Sequence, residues 1–223
     1  MSDYHIRLYK DSDHGTVRDI FVQGYSEPYP VSIRHTLRLP RVWILLLAVF
    51  LLALKTTGSS TVSSMVVISV ILALLLKNRD VFFSYARTSL AGDMLDIRKH
   101  YLQRDGCCFW VAESEGEIVG MAAAAPFPHP GGQNRVELKR LSVPKEHRGR
   151  GIGKALCKTV IDFARTSGYQ AVVLETTMFH VDSVRLYKRL GFRITHVIHP
   201  EEYFAKFIDF KDIFFLYDLS KQQ

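Results

Sequence analysis

Two unbroken apolar runs dominate the hydropathy pattern of this chain. Val42 to Leu54 contains no polar side chain, and Val62 to Leu76 is interrupted only by three serines. Lys55-Thr-Thr-Gly-Ser-Ser-Thr61 separates them. Elsewhere apolar positions recur with the periods of ordinary strands and helices. Tyr4 to Tyr9 reads as a strand, and Ser12 to Val22 as a capped turn leading into a helix. Arg87 to Gln103 has helical spacing, with Leu90, Met94, Ile97 and Tyr101 on one stripe. Cys107 to Glu113 and Ile118 to Ala125 alternate as strands around a hairpin turn at Glu115-Gly-Glu117. A rigid loop follows, Pro126-Phe-Pro-His-Pro-Gly-Gly132. Then come a strand over Val136–Val143, a helix over Lys154–Ala164, and strands over Gln170–Thr176, Phe192–Ile198 and Ile213–Leu219. The expected class is α/β (α+β): a mixed, mostly antiparallel sheet flanked by helices and interrupted by a helical hairpin.

The apolar pair constrains topology. As a helix the 13-residue first run reaches only ~20 Å, against about 30 Å for a bilayer core. The runs therefore extend into their flanks, or the pair dips into the membrane and returns. The alternative, two helices in a soluble core, conflicts with the scarcity of polar residues on every face. If the first strand pairs with strands beyond residue 107, both ends of the insertion leave the bilayer on one side. A spanning or re-entrant hairpin satisfies this; a single crossing does not. The expected organisation is residues 1–34 as the first strand and helix of a domain, 35–80 as a membrane hairpin, and 81–223 as the rest of that domain. Arg34, Arg38 and Arg41 precede the hairpin and Lys77, Arg79 and Arg87 follow it, whereas the connection carries only Lys55. The positive-inside rule places the flanks in the cytosol. The polar start, Met-Ser-Asp-Tyr-His-Ile-Arg, shows no cleavable signal peptide.

Charge narrows the chemistry. The net charge is +7, and from Lys139 to Lys158 Glu146 is the sole acid among Lys139, Arg140, Lys145, Arg148, Arg150, Lys154 and Lys158. This suits a phosphate-bearing ligand. No nucleic-acid module accompanies it, so nucleic acid is not an expected partner. Cys107, Cys108 and Cys157 have no metal-ligand spacing, and no metal is expected. Core packing in a reducing compartment suits them better.

His147-Arg-Gly-Arg-Gly-Ile-Gly153 lies between the strand over Val136–Val143 and the helix that follows. Glycines let backbone amides approach an anion without an intervening Cβ. A helix N-terminus adds unpaired donors and a positive dipole end, and two arginines add full charges. The expected ligand is a pyrophosphate. The spacing matches neither Gly-x-Gly-x-x-Gly nor the P-loop. It is Arg148-x-x-Gly151-x-Gly153, and a second block follows, Ser183-Val-Arg-Leu-Tyr-Lys-Arg-Leu-Gly-Phe192.

Both blocks resemble the GCN5-related N-acetyltransferase superfamily. Nearly the whole chain is similar to its camello and N-acetyltransferase 8 family, through Ile6-Arg-Leu-Tyr-Lys-Asp-Ser-Asp13, the apolar pair after Arg34-His-Thr-Leu-Arg-Leu-Pro40, and Glu137 to Gly153. The resemblance implies acetyl-CoA as cosubstrate and a membrane of the endoplasmic reticulum or Golgi region. The implied acceptor is the α-amine of cysteine S-conjugates or a related small amine. Family members are also associated with aspartate acetylation, protein lysine acetylation and embryonic cell movement; a silent acetyl-CoA-binding scaffold is a further alternative.

The same resemblance assigns Leu141, Ser142 and Val143 to the pantetheine arm. It gives Arg148, Gly149, Arg150, Gly151, Ile152, Gly153 and Lys154 to the pyrophosphate, with the helix carrying Ser183 beside the coenzyme. His180 stands where many relatives place an asparagine that contacts the coenzyme. A main-chain amide, Leu141 or Val143, is the expected oxyanion donor. Tyr187 is the candidate general acid, or a packing aromatic. Glu137 is the candidate general base, placed by period-two counting on the face of Leu141 and Val143, or else an ion-pair partner of Lys139 or Arg135. Glu175 is a weaker base candidate, and His129 a possible neighbour of the acceptor.

Overall fold

A computed structural model describes residues 3–127 and 134–220. Seven strands form one sheet in the order β1-β2-β3-β4-β5-β7-β6. They are β1 His5–Leu8, β2 Cys108–Ser114, β3 Glu117–Pro126, β4 Arg135–Ser142, β5 Ala171–Thr177, β6 Arg193–Ile198 and β7 Asp212–Asp218. Pairing is antiparallel except between β4 and β5. The β2–β3 hairpin turns on Glu115 and Gly116, both at positive φ (52° and 84°), the backbone that a tight two-residue connection requires. β1 pairs with β2 across the intervening hundred residues, His5 opposite Glu113 and Leu8 opposite Trp110. The segment before the apolar runs thus belongs to the same sheet as the segment after them.

Strand alternation divides the interior in two. Ala122 and Ala124 face a core shared with α5 (Ile152–Thr166) and α6 (Val181–Arg189), including Leu156, Val160 and Tyr187. Met121 and Ala123 face Val17, Ile20 and Phe21 of α1 (His14–Ser26), together with Met94, Ile97 and Tyr101. The cysteines follow this division: Cys107 packs against the second core and Cys108 against the first, while Cys157 is fully buried.

After α1 the chain forms α2 (Tyr29–Arg38), α3 (Pro40–Thr57) and α4 (Ser60–Ala91). Gly58, at φ +66°, caps α3 and turns the chain into α4, and the two helices pack together. Both are long and apolar enough to cross a membrane. Only 11% of the most apolar window of α3 and 6% of that of α4 is buried, so these windows are not core segments, whereas the later part of α4 places Val81, Phe82 and Ala86 in the interior. Trp43, Leu47, Leu52, Met65, Ile68 and Leu72 are exposed. The 18 residues of α3 reach ~27 Å, longer than the apolar run alone.

The second apolar run extends into its flanks: α4 has 32 residues, from Ser60 to Ala91. Arg87–Gln103 is not one helix. The chain leaves helical geometry at Gly92 (φ −102°, ψ −114°), and a π-helical turn covers Arg98–Leu102. The apolar stripe survives because Met94, Ile97 and Tyr101 still reach one core. Both domain edges read from the sequence fall inside helices: residues 34 and 35 within α2, residues 80 and 81 within α4. Buried Asn78 of α4 fixes the two helices together, accepting from Ser32 Oγ (3.0 Å) and donating to Thr36 Oγ1 (2.7 Å). A short helix, α7 (Tyr203–Phe207), packs near the same end of α4, where Phe82, Phe179, Ile208 and Phe210 cluster. His129 and most of its loop lie outside the described residues.

Candidate active site

The sheet opens at its centre. β4 and β5 pair only from Arg135–Ala171 to Glu137–Val173. Beyond that point β5 stays with β7 as far as Thr177, opposite Asp212, and β4 diverges to follow β3. A β-bulge accompanies the divergence. Lys139 stands opposite Ala123 and Ser142 opposite Met121, so Arg140 and Leu141 share the single Ala122. Arg140 takes φ +57°. The result is a notch whose β5-facing β4 edge has no strand partner among the described residues from Leu138 onward. A cavity of about 990 Å³ occupies this notch.

The bulge also corrects a face assignment. Glu137 and Lys139 lie on the α1 side of the sheet, as Ser142 does, whose hydroxyl donates to Ile20 O at 3.2 Å. Leu141 and Val143 pack against the α5 core. Glu137 therefore does not share a face with Leu141 and Val143, because the extra residue at the bulge resets the alternation. The Glu137 carboxylate lies 3.4 Å from Lys139 Nζ.

The glycine loop closes one end of the notch. Gly149 and Gly151 have φ +82° and +84°, and Gly151 is the N-cap of α5. Ala155 N–H is the first in α5 to meet an intrahelical carbonyl, Gly151 O at 3.0 Å. The amides of Ile152, Gly153 and Lys154 stand at the positive end of the helix without an intrahelical acceptor. Gly153 is small because α6 is close: a Cβ there would come within 3.2 Å of Leu186 Cδ2. Ile152 lines the cavity and is itself buried in the core.

The two loop arginines behave differently from each other. Arg148 lines the cavity, with its guanidinium paired to both oxygens of Glu27 (2.9 and 2.5 Å) and to Val143 O (2.9 Å). Arg150 does not line the cavity. It turns toward β1 and β2, donating to Asp3 (2.5 Å) and to Ser114 Oγ (2.8 Å), so its charge anchors the N-terminal strand. Lys154 remains at the cavity.

α6 forms a further wall. Tyr187 lines the cavity and is 5% exposed, packed on Phe192 and Phe215. Burial pushes its phenol well above the usual range, and Cys157 adds to the effect. It stays protonated at any physiological pH. His180, just before α6, lines the cavity with Ser183. Burial lowers the imidazole to about 4; nearby Glu27 opposes the shift and Arg148 adds to it. The ring is neutral and shares a hydrogen bond with Thr177 Oγ1 (2.9 Å).

Opposite the loop, the cavity face is acidic and aromatic. Glu137, Glu175 and Asp212, on β4, β5 and β7, all line it. Cross-strand register puts Asp212 opposite Thr177, two residues on from Glu175, so Glu175 and Asp212 share a face. Burial raises the Asp212 carboxyl to about 7, with Glu175 contributing. Tyr25, Tyr85, Phe179 and Phe210 supply the aromatic part. The alternation from Ile213 to Leu219 leaves Asp212 one residue outside the strand it predicts, whereas β7 begins at Asp212. Counting back by twos from Phe214 and Leu216, which point away from the Phe215 core, would have put it on the cavity face.

A seven-stranded sheet split beside a strand that ends in a glycine loop and helix defines a coenzyme-dependent acyltransferase. The profile of the acetyltransferase (GNAT) family matches residues 76–192, and the chain belongs to that family. It is 45% identical over 194 residues to N-acetyltransferase 8F1 of Mus musculus, covering 86% of this chain and 87% of that protein. It is 39% identical over 227 residues to N-acetyltransferase 8B of Homo sapiens, covering 100% and 98%. These relatives place it in the N-acetyltransferase 8 branch, and the protein is an N-acetyltransferase. Among solved structures, a GNAT acetyltransferase from Staphylococcus aureus superimposes with a TM-score of 0.58 at 17% identity, covering 97% of this chain and 99% of the other. An acetyltransferase from Salmonella typhimurium, solved with its cofactor acetyl-CoA, gives 0.53 at 17% identity, covering 99% and 96%. These two share the fold.

Proposed function

We propose that this protein is a membrane-anchored enzyme that transfers acetyl from acetyl-CoA to the α-amine of cysteine S-conjugates or a related small amine. The observation that carries the coenzyme part is the notch: an unpaired β4 edge leading directly into the free amides at the start of α5. Acetyl-CoA supplies an acyl group activated as a thioester. The amides of Ile152, Gly153 and Lys154 suit its pyrophosphate, with the Lys154 ammonium nearby. The main chain of Leu141 to Val143 suits the amide-bearing pantetheine arm, which pairs as an added strand does. A main-chain amide on that edge serves the negative charge that develops on the carbonyl oxygen. Tyr187, protonated and walled in by aromatic rings, holds the proton for the departing thiolate.

The amine must lose a proton before it attacks. Glu137 and Asp212 both line the cavity for that purpose, and Asp212 is the better matched, since a base poised near 7 is effective at neutral pH. The aromatic end, with Tyr25, Phe179 and Phe210, suits an apolar S-substituent. It lies beside Val81, Ser84 and Tyr85 of α4, the helix whose earlier half is apolar and exposed. An amphiphilic acceptor that partitions toward a bilayer surface meets the site there. A second reading has its own support: the carboxylates Glu137, Glu175 and Asp212 also suit a protein lysine, whose ammonium carries no neighbouring carboxylate.

An acceptor screen on the purified full-length protein separates these readings. Coenzyme A release with S-benzyl-L-cysteine and not with lysine peptides supports the small-amine reading; the reverse supports the protein substrate. Release with neither, alongside tight acetyl-CoA binding, supports a binding scaffold. For the anchor, the arginine-rich flanks favour a cytosolic catalytic domain on endoplasmic reticulum or Golgi membranes. Alkaline carbonate extraction that left the protein in the pellet would support the anchor. Protease sensitivity of the domain in sealed microsomes would support the orientation.

A further inference from the structure

The β4 bulge is held in an unusual way. A bulge residue at positive φ is most simply glycine, which adopts that backbone without steric cost. Here the residue is Arg140, at φ +57°, and its side chain is only 4% exposed. The guanidinium grips Asp93 through two contacts, Nε to Oδ2 at 2.9 Å and Nη2 to Oδ1 at 2.6 Å. Its Nη1 donates to the Tyr85 hydroxyl at 3.0 Å. The plane lies over the rings of Phe21 and Tyr85, 5.2 Å from each centroid. Asp93 also accepts the Tyr101 hydroxyl, and Arg140 holds its carboxyl below the usual range despite burial.

Burying such a pair is a poor route to stability, since desolvation offsets the attraction. Holding a non-glycine residue in the left-handed region adds strain. Both costs fall just beyond the last β4–β5 pair, Glu137–Val173, next to the edge proposed to receive the thioester. We infer that Arg140 is a positioning residue for acetyl transfer: clasped by Asp93 and Tyr85, it fixes the bulge that aims the main chain of Leu141 and Ser142 into the notch. This rests on the reading that the thioester lies along that edge. The site then has two separable grips. The α5 loop holds the diphosphate, and the clasp sets where the acetyl group sits.

The separation is measurable on the full chain in lipid nanodiscs. Binding of 3′-phosphoadenosine 5′-diphosphate reports the loop alone. The carbon-13 shift of acetyl-CoA labelled at the thioester carbonyl reports polarisation of the carbonyl at the notch, and needs no acceptor. Arg140→Lys loses the bidentate grip, and Arg140→Gly relieves the backbone while deleting the clasp. Both should keep nucleotide affinity within about twofold, return the bound carbonyl shift toward its free value, and lower the transfer rate by ~10²-fold. A folded variant of either kind that retains the wild-type carbonyl shift overturns the inference. If neither folds, Asp93→Asn and Tyr85→Phe make smaller cuts in the same clasp. They should move the shift in the same direction by less, and a wild-type shift in both overturns it equally. Wild-type protein that binds the nucleotide but shows no carbonyl shift would instead refute the placement of the thioester and leave the loop assignment standing.

Discussion

The two ends of the cavity are built on different principles. The end proposed for the coenzyme uses main chain: amides at the start of α5, glycines at positive φ and a β4 edge without a β5 partner. The end proposed for the acceptor uses side chains from elements distant in sequence: Tyr25 of α1, Tyr85 of α4, Glu137 of β4, Glu175 of β5 and Asp212 of β7. A backbone grip suits a cosubstrate that never changes, because side-chain drift around it matters little. A side-chain wall can be re-cut one residue at a time, so it is the end at which related enzymes can come to accept different amines.

The sharpest way to break this contrast is at the loop. Gly151→Asp puts a carboxylate where the diphosphate is expected and imposes φ +84° on a residue with a Cβ. Acetyl-CoA affinity should fall by ~10²-fold or more, measured by calorimetry; undiminished binding would remove the loop from the site. Next in size, Tyr187→Phe should lower kcat by ~10²-fold with little change in acetyl-CoA KM, because the hydroxyl is needed only as the thiolate leaves. An unchanged kcat would make Tyr187 a packing aromatic.

The acceptor end is tested by its pH profile. Asp212 is a base only when ionised, so kcat/KM should rise as pH climbs through about 7. Asp212→Asn should remove that limb, while Glu137→Gln should lower the rate and keep it; the opposite pair of results would make Glu137 the base. Stability gives a second check. Asp212 titrates higher in the folded chain than in the unfolded one, so folding disfavours its charged form. The stability it contributes at low pH is lost as pH rises from its ordinary value through about 7. Asp212→Asn should therefore raise the melting temperature at pH 8 relative to the native chain, and not at pH 3. The smallest effect concerns the rim. Glu27→Gln frees Arg148 from a half-exposed pair, which should change acetyl-CoA KM by only ~2- to 5-fold, and less at high salt.

The same contrast explains what could be read from the sequence. The succession of elements along one stretch is local: alternation, glycine spacing and a following amphipathic helix make the strand, loop and helix from Val136 to Ala164 legible as elements. Counting by twos failed at Arg140 because a bulge leaves no signature when its left-handed residue is not glycine. The direction of the Arg150 side chain has no local signature either: its partners, Asp3 and Ser114, come from segments that only the folded sheet brings near. Asp212 lay one residue outside an expected strand and pairs with a segment 35 positions earlier, Thr177. The break after Ala91 was hidden by an apolar stripe that both a straight and a broken helix satisfy.

α4 runs without interruption from Ser60, at the tip of the apolar hairpin, to Ala91, two residues before the carboxylate that grips the bulge. A rod of that kind is a lever arm. In the proposed membrane anchor, a change in the thickness or lateral pressure of the lipid would alter its tilt and carry Tyr85 and the chain that follows with it. Turnover of this enzyme should consequently track bilayer composition even for an acceptor delivered entirely from the aqueous phase.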